Sequence, residues 1–206
     1  MNAAHSSFEC MELQSATQKP SVCPAAVLPN DDRGWLGREP TIDEREIVSY
    51  IKSRPLPSAM LHVGVGTALL SREFGERVVQ GLTKDGAEAV SARDLGLDVI
   101  VCNKYDVPSY DRLLRGNFNC IVDVNIRSYA CCDEHFRAFM SRMLGALAPA
   151  GRLVTSMRGL EYLVPTTIAA LSGLCPEWSL RTRGNVVVMQ RRRQATWRRW
   201  LQSLRG

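Results

Sequence analysis

Short apolar runs alternate with amphipathic stretches along most of this chain. Five runs rich in Val, Ile and Leu have the length of buried strands: the run that begins at Met60 and breaks at Gly64, then 77–83, 97–102, 119–125 and 152–157. Stretches compatible with helices lie between them, at 85–95 and at 134–147, where apolar side chains recur at helical spacing. Strands that alternate with helices predict βαβ units and a parallel, doubly wound sheet.

Both ends of this region add further elements. Residues 41–44 have the S/T-x-x-E form of a capping box, which predicts the start of a helix. Beyond the fifth run, 165–174 is compatible with a helix, and two β-rich runs at 178–183 and 186–190 flank a short turn. These two runs predict an antiparallel hairpin at the sheet edge. The expected fold is an α/β domain with a mostly parallel, seven-stranded sheet that ends in this hairpin.

A glycine turn follows the first predicted strand. Gly64 and Gly66 flank Val65 where the apolar run ends, and a helix-compatible stretch resumes at Ala68. Glycine has no Cβ, so two glycines at this spacing let backbone N–H groups approach a nucleotide-like ligand closely. A chance turn after a buried strand has the same pattern, so the motif gains weight only from the elements downstream of it.

The order of these elements, together with four local motifs, resembles the class I S-adenosylmethionine-dependent methyltransferases over roughly residues 41–193. The motifs are 62–68, where that family has an acidic residue followed by GxGxG; 81–83, where its second strand ends; 118–122, where an aromatic residue and Asp open its fourth strand; and 147–151, where Leu-x-Pro-Gly-Gly precedes its fifth. The resemblance implies the Rossmann-like methyltransferase fold and S-adenosylmethionine as the cofactor.

The chain departs from the family pattern at several positions. His62 replaces the first acid, Ala68 a third glycine, Thr83 the acid that grips the ribose hydroxyls, Asn119 the Asp of strand four and Ala150 a glycine. The change at Thr83 matters most, because one hydroxyl is a weaker and less directional partner than a carboxylate. Asp85 and Glu88 are the acids that could reach the ribose instead. His62 could orient the glycine turn by hydrogen bonding, or it could be a core residue.

The family's cofactor site corresponds to a set of residues in this chain: His62, Gly64, Val65, Gly66, Thr83, Asn103, Asp106, Asp123 and Asn125. Ligands bind in this fold at the carboxyl ends of the strands. At the end of strand four, Asp123 suits the amino group of the cofactor's methionine part better than Asn125, because its hydrogen bond is charge-assisted. After strand three, Asp106 is the candidate for the adenine edge, with Asn103 as its substitute.

Methyl transfer from a sulfonium is a displacement at carbon, and much of its catalysis comes from holding the nucleophile close and aligned. A general base is required only if the nucleophile arrives protonated. The catalytic candidates are His135, Asp123 and Tyr129, of which His135 comes first because histidine titrates near neutral pH. The alternative interpretation, which sequence alone favours, is a simple N-terminal residue of the helix. The candidates for substrate binding are Arg127 and Arg158, which suit an anionic group, with Tyr162 and Trp35.

A small molecule is the expected substrate, with a nitrogen or oxygen as the methylated atom. Only some twenty residues separate the fifth strand from the hairpin, and no added domain that would grip a large RNA or protein is evident. Two alternatives remain open. One is an RNA methyltransferase that uses the arginine-rich end of the chain. The other is a non-catalytic binding protein on the same fold, which the changes at His62 and Thr83 favour.

The charge distribution separates the end of the chain from its body. The net charge is +5, yet eight arginines and no acidic residue follow Glu177, so the rest of the chain carries a net negative charge. In 194–206, two tryptophans and two leucines recur at the spacing of one helix face. This basic amphipathic helix could dock on the domain, or it could contact RNA, an anionic membrane surface or a protein partner.

Three segments are expected: a flexible arm at 1–33, a methyltransferase-like domain at 34–193 and the basic helix at 194–206. The arm lacks the pattern of a secretory signal, and no apolar run has the length to span a bilayer. Seven cysteines form no CxxC pair and no zinc spacing, and their odd number indicates free thiols in a reducing compartment. We therefore expect a cytoplasmic protein without a metal site.

Overall fold

Seven strands form one sheet in the computed structural model of this chain, which describes residues 38–128, 130, 132–161 and 167–192. The strands are β1 (Met60–Val63), β2 (Val78–Thr83), β3 (Val99–Val101), β4 (Phe118–Asp123), β5 (Leu147–Ser156), β6 (Trp178–Arg183) and β7 (Val186–Arg191). Their order is β3-β2-β1-β4-β5-β7-β6. Strands β1 to β5 pair in parallel, whereas β7 runs antiparallel to β5 and β6. The predicted doubly wound sheet with a closing hairpin is confirmed.

Helices cover both faces of this sheet. They are α1 (Ile42–Lys52), α2 (Leu69–Phe74), α3 (Gly86–Asp94), α4 (Val107–Tyr110), α5 (Asp133–Ala146), α6 (Met157–Glu161) and α7 (Ile168–Leu174). Helices α1, α2 and α3 share a buried core with Met60 and Cys120. On the opposite face, α4, α5 and α7 share another core with Leu61 and Ile121. Because successive side chains of a strand point to opposite faces, two cores require strands that are apolar on both sides.

The starts of two helices are encoded locally. Thr41 Oγ1 accepts a hydrogen bond from Glu44 N at 3.2 Å, and Glu44 Oε2 accepts one from Thr41 N at 2.7 Å. The predicted capping box therefore opens α1. Asp85 Oδ1 accepts hydrogen bonds from Ala87 N and Glu88 N and caps α3 in the same way. Both helices begin where the sequence predicts.

Strand β5 is longer than predicted. The apolar pattern indicates a strand at 152–157, but β5 already begins at Leu147, which pairs with Phe118. The next pair joins Arg152 to Cys120, so the residues between Leu147 and Arg152 form an irregularity in the ladder. Gly151 fits there because a Cβ would lie 2.7 Å from Phe118 O. A turn-like sequence is thus absorbed into the strand, with four residues of β5 opposite one residue of β4.

Asn119 ties the entry of β4 to that of β1. Its Oδ1 accepts hydrogen bonds from Ser58 Oγ and from Ala59 N, the second at 3.1 Å. An amide oxygen accepts these bonds as a carboxylate oxygen would, which explains why Asn can replace the family's Asp here. This residue acts at the starts of the strands, away from the edge where ligands bind in this fold.

Several predicted features lie outside the described residues: the arm at 1–33, the helix at 194–206, Trp35, Tyr129 and Tyr162. The helix predicted at 165–174 is described only from Ile168 onwards, as α7. Within the described part of the chain, no helix combines the length and the apolar character that crossing a bilayer requires.

Gly159 in α6 marks a close approach of that helix to the end of β4. A Cβ there would lie 1.9 Å from Val124 O, whereas a Cβ on Gly145 in α5 would meet no described atom within 4 Å. We expect Gly159→Ala to lower the free energy of unfolding by about 3 kcal/mol, because backbone atoms must shift. The control Gly145→Ala should raise it by up to about 1 kcal/mol, since alanine favours a helix. Urea unfolding measures both, and a wild-type midpoint for Gly159→Ala would contradict the close approach.

Candidate active site

The turn after β1 is built on left-handed backbone. Gly64 and Gly66 have φ angles of 70° and 50°, which glycine adopts without strain. Ala68 stands where the family has a third glycine, and its φ is also positive, at 54°. Alanine therefore carries a backbone strain here that glycine would avoid. Among the described residues, no atom lies within 4 Å of a Cβ built on Gly64, so the space beside that residue is open.

A buried carboxylate joins the glycine turn to the end of β2. Glu88 Oε2 accepts a hydrogen bond from Thr83 Oγ1 at 2.6 Å and another from Gly66 N at 3.2 Å. Glu88 is 4% exposed. Asp85, the other acid near this place, caps α3 instead. The carboxylate that β2 itself lacks is thus brought to the same edge by the first turn of α3, and we call this contact the Glu88 bridge.

The carboxylate of Asp123, at the end of β4, is bound by an ammonium group. Lys104 Nζ donates to Asp123 Oδ2 at 2.9 Å and to Oδ1 at 3.2 Å. It also donates to Asn125 O at 2.7 Å and to Ser128 Oγ at 3.3 Å. Only 12% of the Lys104 side chain and 2% of the Asp123 side chain are exposed. The sequence predicts a cofactor amino group as the partner of Asp123, but the carboxylate holds an internal cation.

Lys104 carries no sequence signal of its own, since a lysine in a loop is usually solvated. Burial acts against the charged form of both partners. It lowers the pKa of Lys104 and raises the pKa of Asp123, while the opposite charge of the partner opposes each shift. The pair stays together because removal of either charge would leave the other buried and unpaired.

His62 lies in the middle of the sheet. It pairs with Gly81 of β2 and Val122 of β4, and it is 1% exposed. Burial lowers the pKa of His62 to about 3, so the ring is neutral near pH 7. Within the described residues, its Nδ1 has no hydrogen-bond partner. Of its two possible roles, this placement favours the core residue over an anchor for the glycine turn.

The loop after β3 holds the two candidates for the adenine edge. Asn103 Oδ1 accepts a hydrogen bond from Tyr105 N at 3.0 Å, which fixes the side chain beside the backbone. Asp106 is half-buried and precedes α4, to which its side chain makes no capping hydrogen bond. The parallel sheet therefore brings this loop to the same edge as the glycine turn, where the resemblance expects it.

The two candidate arginines are held differently. Arg127 is 8% exposed, its Nη2 donates to Asp133 Oδ1 at 3.0 Å, and its guanidinium lies 4.4 Å from the ring centre of Phe136. Its Nε and Nη1 are buried and have no hydrogen-bond partner in the described part of the chain. Arg158 is 64% exposed, and its Nη1 pairs with Asp43 Oδ1 at 3.2 Å. Arg127 is thus the arginine with buried donors left for an anionic group.

His135 lies in the first turn of α5, beyond the end of β4. Its Nδ1 is 3.1 Å from Cys132 Sγ, and the ring is half-buried. The other catalytic candidate of this region, Tyr129, and the substrate candidates Tyr162 and Trp35 lie outside the described residues. No group of three His, Cys, Asp or Glu side chains gathers as metal ligands in the described ranges.

A cavity of about 450 Å³ opens beside the glycine turn. It is lined by residues 38–40 ahead of α1, by 66–68 of the turn, by Arg72 of α2 and by Ser91 of α3. Thr67 Oγ1, in the turn, donates to Glu44 Oε1 of α1 at 3.4 Å and links two of these walls. A cavity of this volume accommodates a small organic ligand.

Comparison with known proteins identifies the fold. The sequence matches no protein-family model and no curated protein. The N-methyltransferase NodS from Bradyrhizobium japonicum WM9 superimposes with a TM-score of 0.53 at 13% identity, over 71% of this chain and 94% of NodS. NodS in complex with S-adenosyl-L-homocysteine superimposes with a TM-score of 0.56 at 12% identity, over 75% of this chain and 90% of NodS. A TehB-like S-adenosylmethionine-dependent methyltransferase from Corynebacterium glutamicum ATCC 13032 gives 0.56 at 16% identity, over 76% and 90%.

These likenesses show that the chain has the fold of the class I S-adenosylmethionine-dependent methyltransferases. The superpositions cover most of each relative, and the strand order and the closing hairpin agree with the motif order in the sequence. The resemblance drawn from the motifs is therefore confirmed at the level of the fold. At these identities the chemistry has to be argued from the site itself.

The buried neutral ring of His62 makes the fold sensitive to acid. The unfolded chain binds a proton at this residue below about pH 6.5, but the folded chain binds it only near pH 3. The free energy of unfolding therefore falls as the pH drops through this window, by up to about 1.4 kcal/mol per pH unit. We expect His62→Leu to remove this part of the pH dependence.

Urea unfolding of wild type and His62→Leu, over a series from about pH 5 to about pH 8, measures the effect. Since wild type and His62→Leu share every other titratable group, the difference between their slopes isolates this residue. Equal slopes for wild type and His62→Leu would contradict the burial of a neutral ring.

Proposed function

We propose that this chain is an S-adenosylmethionine-dependent methyltransferase that acts on a nitrogen or oxygen of a small molecule. The observation that supports it most is the Glu88 bridge, a buried carboxylate placed between the end of β2 and the glycine turn. Because Thr83 replaces the acid that grips the ribose hydroxyls in the family, the end of β2 itself has no carboxylate for them. Glu88 lies at the same edge and is a candidate for that role. The fold is also that of NodS, which has been solved with S-adenosyl-L-homocysteine.

The residues of this edge fit an adenosyl ligand. The open space beside Gly64 leaves room for a ligand to approach the backbone. We assign Glu88 to the ribose hydroxyls, because a carboxylate accepts charge-assisted hydrogen bonds from them. Asn103 and Asp106 are assigned to the adenine edge. When bound, S-adenosylmethionine would supply an electrophilic methyl group on its sulfonium.

The protein would contribute position and, where needed, a proton acceptor. The described residues that follow β4 and β5 would surround the point where a nucleophile meets the methyl group, and alignment there would be the main source of rate. We assign His135 as the base for a nucleophile that arrives protonated. Asp123 is the weaker choice for that role because its carboxylate is buried and bound by Lys104. Tyr129 stays a prediction.

The same edge supports a small anionic substrate. The buried Nε and Nη1 of Arg127 lack a partner in the described ranges, and a substrate carboxylate would satisfy them. Arg158 is a poorer candidate, since Asp43 already pairs with it. Tyr162 and Trp35 stay predictions for substrate contact. The described chain from β5 to β6 holds only the short helices α6 and α7, which favours a small molecule over RNA.

The cysteines support our proposal of a cytoplasmic location. Cys102, Cys120, Cys132 and Cys175 are free thiols in the described residues. Free thiols are typical of a reducing compartment.

Isothermal titration of the full chain with S-adenosylmethionine, S-adenosylhomocysteine and NAD tests the cofactor. We expect both adenosyl ligands to bind with dissociation constants on the order of 1–100 µM, and NAD not to bind. The sulfonium and thioether forms share the nucleoside that Glu88 and the glycine turn would hold. Absence of binding by both would overturn the proposed function in favour of a non-catalytic protein on this fold.

Glu88→Gln tests the carboxylate itself. A neutral amide is a weaker acceptor for the ribose hydroxyls, so we expect the affinity for S-adenosylhomocysteine to fall about tenfold, or about 1.4 kcal/mol. The control Glu76→Gln changes an exposed acid in the 3₁₀ turn before β2 and should bind as wild type. Urea midpoints of both variants separate lost binding from lost folding. Wild-type affinity for a folded Glu88→Gln would remove Glu88 from the cofactor site.

A further inference from the structure

The ammonium group of Lys104 fills a pocket of oxygen acceptors at the end of β4. These are both carboxylate oxygens of Asp123, the carbonyl of Asn125 and the hydroxyl of Ser128, at 2.7 to 3.3 Å from Nζ. We call this set the ammonium cradle. A primary ammonium has three donors and no acceptor, so a carboxylate and neutral oxygens grouped around one point match it well.

Aromatic rings reinforce this preference for a cation. Lys104 Nζ lies 5.3 Å from the ring centre of Tyr105 and 5.8 Å from that of Phe139. The negative face of an aromatic ring attracts an ammonium group, more strongly when water is excluded. With Asp123 almost fully buried, the cradle is a cation site rather than a general polar surface.

The cradle adjoins the glycine turn. Asp123 pairs in register with Val63, and Gly64 follows Val63 at the start of the turn. Lys104 comes from elsewhere: it follows β3, and the strands β2 and β1 lie between β3 and β4. The loop after β3 turns toward the end of β4, where Tyr105 Oη also donates to Ile126 O, and Lys104 reaches a site formed by other elements. The ammonium group therefore comes from the loop after β3, whereas its acceptors lie at and just beyond the end of β4.

The resemblance already assigns the end of β4 to the amino group of the adenosyl ligand. We propose that Lys104 occupies this place as an internal competitor, which the primary ammonium group of the ligand displaces from the ammonium cradle. This rests on the proposed function. The exchange replaces one ammonium by another, so Asp123 keeps a counter-ion throughout. Because the lysine must leave first, the apparent affinity equals the intrinsic affinity multiplied by the fraction of time for which the cradle is vacant.

Lys104→Ala removes the competitor. We expect it to tighten S-adenosylhomocysteine at least about tenfold in isothermal titration, since the cradle is then vacant. The affinity for 5′-methylthioadenosine, which lacks the amino-acid part, should not change. The control Lys52→Ala removes a lysine at the end of α1 and should leave both affinities at their wild-type values.

A second measurement probes the cradle without an adenosyl ligand. Lys104→Ala leaves the Asp123 carboxylate buried and unpaired, so we expect the variant protein to melt at a lower temperature than wild type. Ethylammonium chloride should restore part of that loss by refilling the cradle, whereas tetramethylammonium chloride at the same concentration should not, because it has no N–H donor. On the wild-type protein, whose cradle is filled by Lys104, the two salts should shift the melting temperature by the same amount.

The outcomes separate the two proposals. Equal affinity of Lys104→Ala and wild type for S-adenosylhomocysteine, or equal tightening of both adenosyl ligands, would overturn the assignment of the cradle. Equal effects of the two ammonium salts on Lys104→Ala would also overturn it. If no adenosyl ligand binds either protein while ethylammonium alone rescues the variant, the proposed function fails, and with it the assignment of the cradle to that ligand.

Discussion

Buried carboxylates at one edge of the sheet each require hydrogen-bond donors, and this requirement organises the candidate site. Asp123 obtains them from the ammonium of Lys104, Glu88 from the glycine turn and Thr83, and Asp43 from Ser156 at the end of β5. Apart from the contact between Thr83 and Glu88, which are five positions apart, these bonds join segments that are distant along the chain. The edge that would bind a ligand is therefore held by the same contacts that hold the loops of the fold in place.

Asp43 extends this arrangement to the antiparallel end of the sheet. From the first turn of α1, it accepts hydrogen bonds from Ser156 Oγ at 3.3 Å, from Arg158 Nη1 at 3.2 Å and from Asn185 Nδ2 at 2.7 Å. These partners lie at the end of β5, in α6 and in the turn between β6 and β7. Helix α1 is thus fastened over the strand ends, and Arg158 has a structural task besides any contact with substrate.

The balance of charge at this edge bears on what it can bind. Lys104 neutralises Asp123, and the acids Glu88 and Asp43 are satisfied by donors of the protein. Arg127 differs, because it is a buried cation that keeps two nitrogens without a partner among the described residues. An edge with satisfied acids and one under-satisfied guanidinium suits a substrate that brings negative charge, while the ammonium cradle suits a ligand that brings positive charge.

The sequence by itself determined the order of the elements and the glycine turn, because strand periodicity, the capping box at 41–44 and the φ preference of glycine act between near neighbours. It also placed Asp123 and Asn103 at the binding edge, since parallel strands all end there. Only the tertiary structure decided the partners: Lys104 lies 19 positions from Asp123. The same holds for the neutral state of His62 and for the choice between the two candidate acids, of which Glu88 meets Thr83 whereas Asp85 caps α3. Such partners depend on which loops meet and on the water that packing removes, and no local pattern encodes either.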